Sequence, residues 1–225
     1  MENHNLTELF LLLAQHPKKG RFVIGELQIN YGIVGAAFLQ MSINDNIEVQ
    51  DKLLIAKSEP EDKDSFNSYI YNEIVSSKKT RKLKYWLRKF ANKVRKYKWE
   101  FLESMSDKDY IRIEHHKFLW LIPYRTCYLV NNELQENLIS KVKNDILTHE
   151  NLSEEEMSVI GLVEACKMHR VFSKDRKELK VLRKNTKELT DKNSISGVVN
   201  ATIKETQAAI VAVMVSSSVV VSTSS

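Results

Sequence analysis

Between residues 83 and 101 the apolar side chains Leu83, Trp86, Leu87, Phe90, Val94, Tyr97 and Phe101 recur every three or four positions. On a helix advancing about 100° per residue they fall in a stripe roughly 100° wide, which marks a helix that buries one face. Residues 81–104 are therefore predicted as one amphipathic helix. Its opposite half carries Arg81, Lys84, Arg88, Arg95 and Lys98, with Trp99 among them. A chain holding this helix must supply a core for the stripe and leave the cationic half to solvent or to a partner.

The charge distribution favours a partner. Residues 78–98 hold 11 basic residues and no acid, while the remainder holds 23 basic against 29 acidic residues, so the net charge of +5 is a local excess. Local excess of one sign is what a docking face for an anionic surface requires. Trp99 tilts the expectation toward a membrane, because indole concentrates at the lipid–water interface. The same charges suit a nucleic-acid backbone, and an indole also stacks on bases.

The rest of the chain reads as mostly helical. Only 6 Gly and 3 Pro occur in 225 residues, too few for the turns of an all-β fold, and 43% hydrophobic residues supply a core. We expect a mainly α fold: a single helical domain over residues 1–225 with two short β-hairpins. Helices are predicted at 7–16 (capped by Thr7), 26–43, 64–76, 81–104, 132–148, 153–171, 174–190 and 196–215. Gly32 and Gly35 predict close packing of the second helix. Ser153 with Glu156 forms a capping box. Residues 22–24 suggest a short strand. One hairpin is predicted at 47–55 with a turn at Gln50-Asp51-Lys52, and a second at 110–121 with its turn at Glu114-His115-His116. Helix followed by hairpin thus occurs twice. The apolar run 208–221 is interrupted by three serines and reads as a buried terminal helix whose Ser-rich end frays from about residue 216.

Motifs for catalysis are missing. No GxGxxG, GxxxxGK[ST], GxSxG, HExxH or CxxC occurs. Cys127 and Cys166 are far apart, which predicts a reducing compartment and no disulfide framework. The start Met1-Glu2-Asn3-His4 lacks the basic and apolar regions of a signal peptide. No cofactor and no metal site is predicted. Glu154-Glu155-Glu156 suits the dipole of a first helical turn without further role.

In this order of elements the chain resembles the Golgi phosphoprotein 3 family, which has eukaryotic members and many bacterial ones. Leu6-Thr7-Glu8-Leu9-Phe10-Leu11-Leu12-Leu13 resembles the family's opening helix, and Lys19-Gly20 with Tyr31-Gly32-Ile33-Val34-Gly35 its Gly-punctuated second helix. Residues 64–86 keep the family's spacing from an acidic helix start to a buried Trp. Lys117-Phe118-Leu119 resembles a later strand. The resemblance covers nearly the whole chain and suits a divergent, bacterial-type member. It implies a single, largely helical domain without catalysis. From the eukaryotic members it implies binding of phosphatidylinositol 4-phosphate at the cytosolic membrane face, and of short cytosolic tails of membrane glycosyltransferases. The family's headgroup pocket uses a Trp and an Arg around the second helix and two basic residues on a later helix. The later pair falls at Arg95 and Lys98; the Trp and first Arg positions hold Gly25 and Val34.

The leading expectation is a cytoplasmic protein peripheral to the membrane, not an enzyme, that holds anionic lipid. Arg95 and Lys98 would contact phosphate, with Lys84, Arg88 and Trp99 in support. The alternatives are a nucleic-acid binder built like a winged helix, with 81–104 as recognition helix, and a module whose basic face receives an acidic protein.

Overall fold

The computed structural model describes residues 4–149, 152–191 and 198–221. The chain opens with α1 (Leu6–Ala14), whose nine residues are all buried. Its cap is Asn5, whose side chain accepts from the Glu8 amide at 2.9 Å; Thr7, the expected cap, lies inside the helix. The helix ends at Ala14: Gln15 is already extended and bridges Phe22, and Pro17 two residues on keeps the chain from resuming the helix. Residues 22–24 form no strand; Phe22 makes a single bridge to Gln15.

Helix α2 (Glu26–Ile43) is the centre of the molecule and contacts α1, α4 (Leu83–Ala91), α7 (Glu154–Ala165) and α9 (Val198–Val221). Its glycines are there for contact, as the sequence suggested. A Cβ on Gly32 would lie 2.0 Å from Cζ of Phe10 in α1, and one on Gly35 would lie 3.0 Å from Ile210 in α9.

The first hairpin pairs β1 (Ile47–Gln50) with β2 (Leu53–Ala56). Asp51 and Lys52 both have positive φ, which suits the right-handed twist of a tight hairpin. After α3 (Phe66–Val75), the two residues of β3 (Arg81–Lys82) add a third strand that the sequence did not announce. The predicted 81–104 helix is in fact β3, α4 and α5 (Val94–Asp107), interrupted at Asn92 and Lys93.

The second hairpin pairs β4 (Ile111–Phe118) with β5 (Ile122–Leu129). The expected turn at Glu114-His115-His116 is mid-strand: Glu114 faces Thr126 and His116 faces Tyr124 across the ladder. The tip is instead Leu119-Trp120-Leu121. Helix α6 (Glu133–Thr148) and α7 follow, and the Ser153–Glu156 capping box is present, with both reciprocal hydrogen bonds. The predicted 153–171 helix stops at Cys166, since Lys167 adopts a positive φ, and a 3-10 turn at His169–Val171 leads to α8 (Arg176–Asp191). Helix α9 continues through Ser216 to Val221, past the expected start of the frayed tail, and residues 222–225 lie outside the described residues. The result is mainly α with two small antiparallel sheets around one core. Among the described residues no helix is long and apolar enough to cross a membrane.

Candidate functional site

Helix α5 is a partition between two grooves of opposite charge. Arg95, Lys98, Trp99 and Leu102 face a groove of about 1200 Å³. Tyr97, Glu100, Phe101 and Ser104 face another of about 830 Å³. The break at Asn92–Lys93 sets this phase. On an unbroken helix Tyr97 and Phe101 would lead the buried stripe; on α5 the fully buried positions are Val94, Lys98, Leu102 and Met105.

The first groove is cationic. Arg21 enters from the loop before α2, Arg95 and Lys98 from α5, and Lys117 and Arg125 from the second hairpin, with His115 and His116 beside them. Among the described residues Glu26 is the one acidic side chain lining it, and it sits 3.5 Å from the Lys98 ammonium. Lys98 is only 8% exposed, a buried cation whose stem lies along the core while its head reaches the groove edge. Arg95 is exposed. Trp99 is half-buried beneath Arg125, whose guanidinium lies 3.7 Å from the ring centroid. Burial pushes the Cys127 thiol in the groove wall up to about 11, against the pull of Lys98 and Arg125, so it stays protonated. No thiolate nucleophile is offered. Among the described residues no cluster of His, Cys, Asp or Glu could hold a metal ion. What remains is a site able to accept phosphate oxygens.

Two buried glutamine side chains hold the wall together. Gln15 Nε2 donates to the carbonyls of Cys127, at 2.6 Å, and of Lys19 and Arg21, pinning the Arg21 loop to the hairpin. Gln135 Nε2 donates in turn to the carbonyls of Leu12 and Gln15, both at 2.6 Å.

Beyond Lys117 the hairpin leaves the groove and becomes apolar. Trp120 is 90% exposed, Leu121 84% and Leu119 69%, and Phe118 and Ile122 are exposed beside them. Leu119 and Trp120 have φ of 48° and 65°. Asn and Gly fill such positions easily, whereas bulky side chains there are strained. The tip is thus a poor turn sequence that displays apolar surface.

Of the residues singled out from sequence, Arg95, Lys98 and Trp99 line the groove; Lys84 and Arg88 lie on α4, across the break, and do not. Gly25 caps α2 at the groove edge. Val34 is fully buried in the core, so no side chain there could reach a ligand. Sequence reasoning missed Arg21, Lys117, Arg125 and the tip. Its available signal was an apolar run, Phe118 to Ile122, bracketed by Lys117 and Arg125.

The second groove carries Glu8, Glu59, Glu61, Asp62, Asp64 and Glu100 over a floor of Phe66, Tyr97 and Phe101, and no basic residue among the described residues lines it.

The sequence model of Golgi phosphoprotein 3 (GPP34) matches residues 6–206. The chain belongs to this family. The match spans every element from α1 into α9, so the cationic groove, the hairpin and all of the acidic groove but Asn5 of this family member fall inside it. No curated protein matches the chain.

Proposed function

We propose that this family member is a non-catalytic adaptor that docks peripherally on the cytoplasmic face of a membrane by holding anionic lipid headgroups. The observation that carries the reading is the continuity of cation and apolar surface along one hairpin. Lys117 lines the groove and its neighbour Phe118 opens the exposed tip. A bilayer interface is the partner with phosphate and hydrocarbon in that order. Near an anionic leaflet each Lys or Arg contributes about 1 kcal/mol, and each apolar side chain taken from water about 1.5–3 kcal/mol. Together they exceed what reversible docking needs.

Phosphatidylinositol 4-phosphate is the headgroup suggested by the family. By sequence register Arg95 and Lys98 fall at the family's later basic pair, and Arg21 and Arg125 bring guanidinium groups to the same groove, while Gly25 at its edge and Val34 in the core offer no side chain to a headgroup. For the adaptor role, the acidic groove over aromatic rings suits a basic segment such as the short cytosolic tail of a membrane enzyme. A nucleic-acid reading is less well supported. The would-be recognition helix is broken at Asn92–Lys93, and the would-be wing ends in Leu119-Trp120-Leu121 where phosphate contact calls for cations.

The test is vesicle flotation with neutral lipid, with phosphatidylserine, and with phosphatidylinositol 4-phosphate, at low and high salt. Binding to anionic vesicles is expected, with at least a hundredfold loss on Arg95→Glu with Lys117→Glu. Unchanged binding in that variant would overturn the reading.

A further inference from the structure

A second cationic site lies on α8, outside the groove on α5. Arg176, Lys180 and Arg183 follow one another at helical spacing and share a face. The 3-10 turn at His169–Val171 brings Arg170 to the same place, and with Leu179 these four line a cleft of about 300 Å³ that has no acidic residue among the described residues. All four cations are exposed, and among the described residues none makes a side-chain hydrogen bond or ion pair.

The acids nearby are committed elsewhere. Glu178 pairs with Lys143 at 2.6 Å, Glu188 lies 3.8 Å from Lys184, and the Asp175 side chain accepts from the Glu178 amide at 2.8 Å. Like charges at i and i+4 destabilise a helix, and among the described residues no ion pair offsets the cost of Arg176 with Lys180. Arginine is also the residue whose planar fork matches phosphate oxygens. Leu179 between the cations gives the cleft an apolar floor.

The turn beside the cleft is tied to the helix that begins at the groove. Cys166, just before the 3-10 turn, bonds with Gln28 in the first turns of α2, and Ile24 and Glu26 at the start of that helix line the groove. His16 is held below its ordinary pKa by burial and by Lys19, Arg21 and Lys174. Lys174, just before α8, thus acts on the same imidazole as Lys19 and Arg21 of the groove loop.

We infer that Arg170, Arg176, Lys180 and Arg183 form a second phosphate-binding subsite that engages another anionic lipid headgroup of the same membrane, making docking bivalent. This rests on the membrane reading above. Linked sites raise overall affinity far beyond either alone when both reach their ligand at once.

The experiment measures partition of the full chain onto phosphatidylcholine vesicles with and without phosphatidylserine, for the wild type and for Arg176→Ala with Arg183→Ala. Both residues are exposed on a helix, and circular dichroism verifies the fold. Each neutralised charge is expected to weaken binding about fivefold, so the pair weakens it about 25-fold while Lys184→Ala, on an ion-paired neighbour, changes it little. If the wild type binds anionic vesicles and the double variant binds equally well, the second subsite is wrong and the groove reading stands. If the wild type binds none, both fall. If the double variant instead loses binding to duplex DNA while keeping vesicle binding, the ligand is nucleic acid and this assignment is overturned.

Discussion

The guanidinium of Arg125 lies 3.7 Å from the centroid of the Trp99 ring and its Nη1 donates to Glu103 at 2.7 Å. This contact ties the middle of the second hairpin to α5 and covers the indole that sequence reasoning placed at a lipid interface. Cation–π contacts contribute about 0.5–2 kcal/mol. Arg125→Lys keeps the charge and loses the planar stack. It is expected to lower stability in denaturant titration by about 1 kcal/mol while leaving vesicle binding near wild type. Arg125→Ala should lower both. Equal vesicle binding by the Ala variant would remove Arg125 from the groove's working set.

The hairpin tip makes a prediction with opposite signs. Leu119 and Trp120 occupy positive φ, where Asn and Gly are favoured. Leu119→Asn with Trp120→Gly should therefore raise stability, by about 1 kcal/mol, and reduce vesicle partition by more than tenfold. Thermal melting and flotation read the two effects separately. A loss of stability would mean that the tip packs on something within the chain.

Gly32 sets the approach of α1 to α2. A Cβ there would meet the Phe10 ring at 2.0 Å, and Phe10 is 1% exposed with nowhere to move. Gly32→Ala is expected to cost about 1–3 kcal/mol despite the better helix propensity of alanine. Phe10→Leu in the same chain should recover part of that loss. Additive losses would mean the two residues do not meet.

Acid should weaken the fold through paired carboxylates. The hydrogen bond from Lys89 holds Glu73 below the usual glutamate value, and the one from Lys143 does the same for Glu178. A carboxylate with a lowered folded pKa contributes stability that is full above its unfolded value and is lost as pH falls through the folded value. The melting temperature is therefore expected to hold from pH 7 to 5 and to drop below about pH 4.5, the ordinary value for Glu. Glu73→Gln with Glu178→Gln should lower the melting temperature at pH 7 and flatten that acid limb.

Much of the architecture was readable without coordinates. The scarcity of Gly and Pro, the boundaries of α2 and the capping box at Ser153 all held, because each is written in neighbouring residues. Breaks without a marker residue were not readable. Asn92-Lys93 contains neither Gly nor Pro, and an uninterrupted 3.6-residue pattern runs through it. The turn of the second hairpin was misplaced because Glu114-His115-His116 has turn-like polarity, while the real tip is made of residues that turns normally avoid.

The sequence by itself determined a mainly helical chain, a family, and one local excess of positive charge, since periodicity, composition and motif order are properties of the chain as written. Only the tertiary structure decided which charges act together. Arg95 and Lys98 join Arg21, Lys117 and Arg125, which come from a loop and a hairpin distant in sequence, while Lys84 and Arg88 from the same basic run are turned away by a bend. Electrostatic attraction depends on distance in space, and chain order does not report that distance.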